Sequence, residues 1–228
     1  MTDSPSFTER AREHVAATAE SWSTARAALD AEPAPATATW AAAPEHSDEA
    51  IRKATGAGWD EWVARIDAGP GRAATHTEIA AWVNANSDIG GWWSQGVTVG
   101  YERITGMRLP GQRPDGTFTL SRTRTFAVAP DHLRALLEDE GSLTALLPAA
   151  QVTRTSKAGV KAPRYALEDA ADAAGTSLGT LQLGFDPAPK GAKLTVTHEK
   201  LPSFGATEPW KDFWAAWLDA VGAALTDS

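Results

Sequence analysis

Two arginines share one face of a predicted strand with aromatic residues. Polar and larger side chains alternate over residues 117–128, so Arg122 and Arg124 fall on the same face as Phe118 and Phe126. The aromatic residues should turn this face inward. Two guanidiniums beside aromatic rings are suited to bind a carboxylate or a phosphate. The alternative, more frequent for half-buried arginines, is an ion pair with a carboxylate on a neighbouring strand, or a bulge that turns them to solvent.

A histidine and a tyrosine are the candidates for proton transfer. His198 shares strand parity with Leu194 and Val196, which places it on the inward face, close to the start of the last helix. Beside Tyr165, such a histidine can donate and accept protons, the minimum for acid–base catalysis. Because no carboxylate pair or nucleophile accompanies it, a hydrogen-bonded core histidine is the favoured interpretation. We therefore assign no catalytic residue.

The C-terminal helix carries a continuous apolar stripe. Seven residues recur at the spacing of one helical face: Trp210, Phe213, Trp214, Trp217, Leu218, Val221 and Leu225. A face this bulky needs a wide, curved partner surface, which the preceding strands can supply. We interpret the aromatic rings as core residues first, and as the lining of a ligand cavity only where that cavity reaches them.

Metal chemistry has little support. The chain has no cysteine, which excludes disulfides, thiolate nucleophiles and cysteine-based zinc sites. Its five histidines, at positions 14, 46, 76, 132 and 198, are scattered and form no His-Glu-x-x-His motif. His76 falls in a helix capping box, where we expect it to be exposed. We expect no metal and no cofactor.

Composition narrows the class of partner. The chain of 228 residues has a net charge of −8, and residues 1–106 carry 15 acidic against 8 basic side chains, a balance that disfavours nucleic-acid binding. No stretch reaches the roughly 18 apolar residues of a membrane helix, and residues 1–11 lack the apolar run of a secretory signal. The absence of cysteine fits a reducing compartment. We expect a cytoplasmic protein without nucleic-acid or membrane partners.

The first 47 residues predict a helix and a linker. Ser6-Phe-Thr-Glu9 is a capping box, and a thin apolar stripe follows it to about Asp30. A stripe this weak packs either on its own chain or on a second copy, so we expect a monomer or a weak homodimer formed through this helix. Residues 31–47 are rich in proline and alanine and predict a semi-extended linker.

Residues 48–106 predict a small bundle of four short helices. Ser47 and Thr75 have the character of N-caps, and tryptophans recur on the helical faces. Residues 97–101 fit a helix, although a strand is an alternative there. The bundle resembles a small bacterial helical domain family of unknown function, which implies no chemistry. The residues that carry this resemblance are Lys53-Ala-Thr-Gly56, Trp59-Asp-Glu-Trp62, Thr75-His-Thr-Glu-Ile79, Gly91-Trp-Trp-Ser-Gln95 and Val99-Gly-Tyr-Glu102.

From residue 110 to 226 the chain predicts a strand, a helix pair, further strands and the long helix. The later strands are expected near 151–156, 161–168, 177–186 and 192–200. Together with Ser121–Phe126, Thr195–Glu199 and the terminal helix, this order resembles the helix-grip fold of the SRPBCC/START-like superfamily. Within it, the chain is similar to homologues of the ATPase activator of the ninety-kilodalton heat-shock protein. The expected fold class is α+β: a small helical bundle, then a curved antiparallel sheet wrapped around a C-terminal helix.

The resemblance implies a cavity between the sheet and the long helix. The chain offers about five strands where the superfamily usually has six or seven, so we expect a small cavity. We expect non-catalytic binding of a small, partly hydrophobic ligand that can carry a negative charge. The candidate ligand-binding residues are Arg122, Arg124, Phe126, Tyr165, His198, Trp214 and Trp217.

Two other classes of function stay open. Similarity to the heat-shock activator implies a protein–protein adaptor or a chaperone-associated module as one alternative. The other alternative is a lyase- or cyclase-type enzyme, since some members of the superfamily use acids and bases in their cavity. In that case His198 and Tyr165 would be the working pair.

Overall fold

The structure, a computed structural model, describes residues 6–31 and 40–226. These residues form two compact units. Residues 6–31 and 113–226 make up the first, which we call the sheet unit, and residues 40–112 make up the second, the helical unit. The N-terminal helix thus lies in the same unit as the sheet. Residues 32–39 of the expected linker lie outside the described residues.

The N-terminal segment is helical, as expected, but it is broken in two. Helix α1 spans Phe7–Val15, a 3₁₀ turn spans Ala16–Thr18, and helix α2 spans Ala19–Asp30. Ser6 and Glu9 form the predicted capping box, in which each backbone N–H donates to the side chain of the other residue. Both helices pack against the C-terminal helix of the same chain.

Four helices make up the helical unit: α3 (Asp48–Thr55), α4 (Trp59–Ala68), α5 (His76–Ala85) and α6 (Gly90–Thr105). The side chains of Ser47 and Thr75 accept hydrogen bonds from the first turns of α3 and α5, as their N-cap character predicted. Gly56 ends α3 with a left-handed φ of 77°, which favours glycine. Residues 97–101 lie inside α6, so the strand alternative is wrong.

Two tryptophans of α4 form the centre of the helical unit. Trp59 and Trp62 are 0% and 1% exposed and pack with apolar residues of α5 and α6. The indole N–H of Trp59 donates to the carbonyl oxygen of His46, and that of Trp62 donates to the hydroxyl of Thr55, both over 2.8 Å. Both buried donors are therefore satisfied, which fixes the two rings in place.

The sheet unit contains five strands and three further helices: β1 (Phe118–Phe126), α7 (Pro130–Glu138), α8 (Glu140–Leu146), β2 (Ala150–Arg154), β3 (Arg164–Asp169), β4 (Ser177–Ala188), β5 (Gly191–Leu201) and α9 (Thr207–Thr226). The strands pair antiparallel in the order β1-β5-β4-β3-β2. The helix pair α7–α8 connects the two edge strands, and α9 follows β5. The expected helix-grip fold is confirmed.

The sheet has one apolar face and one polar face. Leu120, Leu181 and Val196 are among the buried residues of the inner face. On the outer face, the hydroxyls of Ser121 and Thr197 form a cross-strand hydrogen bond of 2.9 Å. Because side chains alternate between the faces, a slip of one residue would exchange the two sets. The apolar pattern therefore fixes the register.

Helix α9 presents the predicted aromatic stripe to the rest of the sheet unit. Trp210, Phe213, Trp214 and Trp217 are each no more than 1% exposed, and neighbouring rings pack mostly edge to face. Trp22 of α2 packs edge-on against Trp210 and Phe213, with ring centres 5.4 Å and 5.1 Å apart. The N-terminal helices therefore extend the same aromatic core.

The packing of α6 against α4 predicts the effect of one small substitution. A Cβ atom added at Gly100 would lie 2.0 Å from the ring of Trp59, which is fully buried. Overpacking of this kind costs about 1–3 kcal/mol, which exceeds the roughly 1 kcal/mol that alanine gains over glycine in a helix. We expect Gly100→Ala to accelerate amide hydrogen exchange throughout α6.

Gly96→Ala is the matched control in the same helix. The nearest atom to its added Cβ is 3.7 Å away, on His46, which is ordinary contact. This variant should leave exchange in α6 unchanged or slow it. Equal exchange in the two variants would contradict the steric argument.

Candidate functional site

One row of cross-strand neighbours contains two of the predicted site residues. Arg154 pairs with Tyr165, Tyr165 with Leu181, and Leu181 with His198, across strands β2, β3, β4 and β5. Residues of one row share a face of the sheet. Because neighbouring strands lie about 4.8 Å apart, Tyr165 and His198 are separated by roughly 10 Å, with Leu181 between them. The sequence predicted the shared face correctly, but the two residues do not form a pair.

His198 has both ring nitrogens engaged. Its Nε2 donates to the carbonyl oxygen of Leu178 over 2.8 Å, and its Nδ1 accepts from the indole N–H of Trp214 over 3.2 Å. An indole nitrogen only donates, so the proton of the imidazole must be on Nε2. Burial lowers the pKa of His198 to about 4, against the opposite effect of the bond to Leu178. The ring is therefore neutral at neutral pH and offers no free nitrogen to a substrate.

The two arginines of β1 lie on the predicted face and contact α9. Arg122 donates from Nε to the carbonyl oxygen of Lys211 over 3.2 Å, and Arg124 forms an ion pair with Asp219. The guanidinium carbon of Arg124 also lies 5.7 Å from the centre of the Phe126 ring. The ion-pair alternative thus fits Arg124, with the carboxylate on the helix and not on a neighbouring strand. Neither arginine lines a cavity described below.

Three further predicted residues belong to the core between the sheet and α9. Phe126 is 6% exposed, and Trp214 and Trp217 are fully buried. The indole N–H of Trp217 donates to the carbonyl oxygen of Leu146 over 3.0 Å, which ties α9 to α8. None of these three side chains lines a cavity described below.

Tyr165 lines a cavity of about 220 Å³ between α7–α8 and strands β2 and β3. Its walls are formed by Glu138, Glu140, Leu143, Thr144, Val152, Thr153, Arg154 and Tyr165. Tyr165 is 4% exposed, and its hydroxyl has no hydrogen-bond partner among the described residues. Burial raises the pKa of this hydroxyl, so it stays protonated and able to donate. An unpaired buried hydroxyl costs about 1–3 kcal/mol, which marks the place of a missing acceptor.

A charged network forms one wall of the Tyr165 cavity. Arg154 donates to Glu138 Oε2 over 2.7 Å, and the guanidinium carbon of Arg154 lies 5.9 Å from the Tyr165 ring centre. Arg134 Nε lies 2.7 Å from Glu138 Oε1, but without hydrogen-bond geometry, so this buried oxygen is an acceptor without a donor. The unpaired donor and the unpaired acceptor thus belong to two residues that line this cavity.

The sequence reasoning missed both Glu138 and Arg154. Arg134 and Glu138 stand four residues apart on α7, which is a recognisable helical ion pair. The contact of Glu138 with Arg154 depends on how α7 lies over β2, and no local pattern reports that.

A second polar cluster lies in the helical unit. His76 Nδ1 lies 3.1 Å from both carboxylate oxygens of Glu102, and its Nε2 lies 3.0 Å from Gln95 Oε1. Burial by itself lowers the pKa of His76, but the bonds to Gln95 and Glu102 outweigh it and the pKa is raised. His76 is thus half-buried and bonded, not exposed as expected. These bonds link α5 to α6 and satisfy the histidine.

Residues 6–31 and 40–226 were compared with the requirements of a metal site and of a membrane-spanning helix. Within these ranges, no group of three or more histidine, aspartate or glutamate residues is placed to hold a metal ion. No helix of the same part of the chain has the length and apolar character needed to cross a membrane.

Comparison with solved structures finds matches of low sequence identity. A protein from Mesorhizobium loti has a TM-score of 0.38 and 15% identity over 47% of this chain and 96% of its own. The AHSA1 protein from Silicibacter pomeroyi has a TM-score of 0.37 and 17% identity over 47% and 96%. The di-domain ARO/CYC protein StfQ of the steffimycin biosynthetic pathway has a TM-score of 0.34 and 10% identity over 58% and 57%.

No protein-family model and no curated protein matches the chain. The fold assignment itself rests on the strand order and on α9. The chain has the helix-grip fold. The resemblance of the helical unit to a bacterial family stays a prediction.

Because His198 is buried, we expect the loss of stability caused by its replacement to depend on pH. His198→Gln should lower the free energy of unfolding by about 1–3 kcal/mol, since Trp214 or Leu178 loses a buried partner. The pKa of His198 is about 4 in the folded state, below the value of 6.5 in the unfolded state. Between pH 6.5 and pH 4 the unfolded state therefore binds more protons than the folded state, and the wild-type protein loses stability as the pH falls. The variant lacks the histidine and therefore lacks this dependence on pH. The difference in the free energy of unfolding between the two proteins should be constant above pH 6.5 and should become smaller toward pH 4.

Urea unfolding of both proteins across this pH range measures the difference. His132→Gln is the control, because His132 is exposed on α7 and should give no difference at any pH. A difference for His198→Gln that stays constant down to the acid end would show that the histidine is not held neutral.

Proposed function

We propose that the protein binds a small, partly hydrophobic ligand, without catalysis, in the cavity lined by Tyr165, Glu138 and Arg154. The observation that carries this proposal is the buried Tyr165 hydroxyl, which has no partner among the described residues. A protein loses stability by keeping such a group unpaired, unless a ligand supplies the acceptor.

The size and walls of the cavity define the ligand. A volume of about 220 Å³ compares with the roughly 150 Å³ of an engineered apolar cavity that holds benzene. One ring with a short substituent therefore fits. Leu143 and Val152 supply apolar wall, Tyr165 supplies a donor, and Glu138 supplies an acceptor. A ketone or a phenol on such a ring matches this pattern.

The charges of the cavity favour an uncharged ligand. Glu138 and Glu140 both line it, and the guanidinium of Arg154 is already bonded to Glu138. A carboxylate would meet no cation left free by the protein. The expectation of an anionic ligand rested on Arg122 and Arg124, which contact α9 instead.

The same geometry weighs against an acid–base enzyme. The proposed pair of His198 and Tyr165 is separated by Leu181, and both nitrogens of His198 are bonded. The imidazole would have to break a buried hydrogen bond before it accepted a proton from a substrate. Binding needs no such rearrangement.

Tyrosine-specific NMR labelling tests the proposal, because the chain has two tyrosines and they lie in different units. Titration with acetophenone should shift the ring signals of Tyr165 and leave those of Tyr101 in place. Tyr165→Phe should weaken binding about tenfold, since the ketone loses its donor. Benzoate should bind more weakly than acetophenone, because the cavity offers no free cation.

Tyr101→Phe is the matched control and should leave acetophenone affinity unchanged. Tyr165→Phe should be as stable as the wild-type protein or more stable, because it removes an unpaired buried hydroxyl. Equal affinity in the wild-type and Tyr165→Phe proteins would overturn the proposal. Absence of any shift of Tyr165 across a panel of neutral ring compounds would overturn it as well.

A further inference from the structure

A second cavity of the sheet unit lies between the N-terminal helices and α8. Its volume is about 300 Å³. Val15, Ala19 and Trp22 form the side contributed by α1 and α2, while Leu146 and Phe213 contribute from α8 and α9. We propose that this cavity binds an amphipathic carboxylate, with the hydrocarbon chain inside and the carboxylate on Arg12 at the rim.

The interior of this cavity has almost no polar character to offer. Apart from Arg12 and Thr18, the side chains that line it are apolar. The hydroxyl of Thr18 donates to the carbonyl oxygen of Val15 over 2.8 Å, so the protein already satisfies it. A hydrocarbon is therefore the group that gains most from entering, at about 0.8 kcal/mol for each buried methylene.

Arg12 supplies the polar end of the site. Its side chain is exposed and lines both this cavity and an adjoining open groove along α8. Among the described residues, no carboxylate lies within ion-pair distance of it, although Glu9 stands one turn earlier and Glu140 lines the groove. Glu9 is itself bonded to Ser6 through the capping box. A guanidinium with free donors binds a carboxylate in a two-point geometry.

The break in the N-terminal helix coincides with this cavity. Ala16 and Thr18, both of the 3₁₀ turn, line it together with the last residue of α1 and the first of α2. The small side chains Ala16 and Ala19 leave space here, where larger ones would fill it. By comparison with the benzene-holding cavity of roughly 150 Å³, a chain of roughly eight carbons fits.

Titration with octanoate, followed through the indole N–H signals of ¹⁵N-tryptophan-labelled protein, tests the site. The signal of Trp22, identified with Trp22→Phe, should shift on addition. Arg12→Gln should weaken octanoate binding about tenfold by removing the charge-assisted bond, and added salt should weaken binding to the wild-type protein. Octanol should bind the wild-type and Arg12→Gln proteins equally, because it has no charge.

Two control variants test whether octanoate binds specifically at Arg12. Lys190→Gln removes an exposed cation from the turn between β4 and β5 and should leave octanoate affinity unchanged. Tyr165→Phe should also leave octanoate affinity unchanged, because Tyr165 does not line this cavity. The result therefore does not depend on whether the Tyr165 cavity binds a ligand. Equal octanoate affinity in Arg12→Gln, loss of it in Tyr165→Phe, or no shift of Trp22 would each overturn the proposal.

Discussion

The two hydrogen bonds of His198 join the C-terminal helix to the sheet, and much of the sheet unit follows from them. Trp214 donates to one ring nitrogen, and the other donates to the carbonyl oxygen of Leu178. All of these groups are buried, so each would cost about 1–3 kcal/mol if left without a partner. A slip of β5 by one residue would carry the histidine to the polar face and break both bonds. The register of the sheet and the position of α9 are therefore fixed together.

This bridge also constrains the backbone and decides where a ligand has room. Gly179 follows Leu178 with a φ of 114°, and a Cβ atom there would lie 2.5 Å from the carbonyl oxygen of Glu199 and 2.7 Å from His198 Nε2. A glycine is required for so close an approach. The rings of Trp210, Trp214 and Trp217 are buried in the core of the sheet unit. The two cavities proposed as binding sites lie beside α8.

The sequence predicted the parts that depend on local pattern. Alternation placed β1 and His198 on the correct face, capping boxes began α1 and α5, and helical spacing predicted the stripe of α9. Features that depend on two elements meeting were not predictable. The ion pair of Arg124 with Asp219 requires the position of α9 over β1, and the distance between Tyr165 and His198 requires three strands in register. The break at Ala16–Thr18 contains no proline or glycine that would signal it.

Helix α8 is short, yet it can serve as a wall for two cavities because contacts hold both of its ends. The side chain of Asp139 accepts from the backbone N–H of Ser142 over 2.8 Å at the first end, and Leu146 accepts from Trp217 at the other. On its outer side, the hydroxyls of Thr8 and Ser142 are 3.0 Å apart, which joins α1 to α8. Cavities bounded by fixed elements are preformed and need little reorganisation to bind. The N-terminal helices thus complete the second cavity, whereas the Tyr165 cavity is bounded without them, so the two sites should bind their ligands independently.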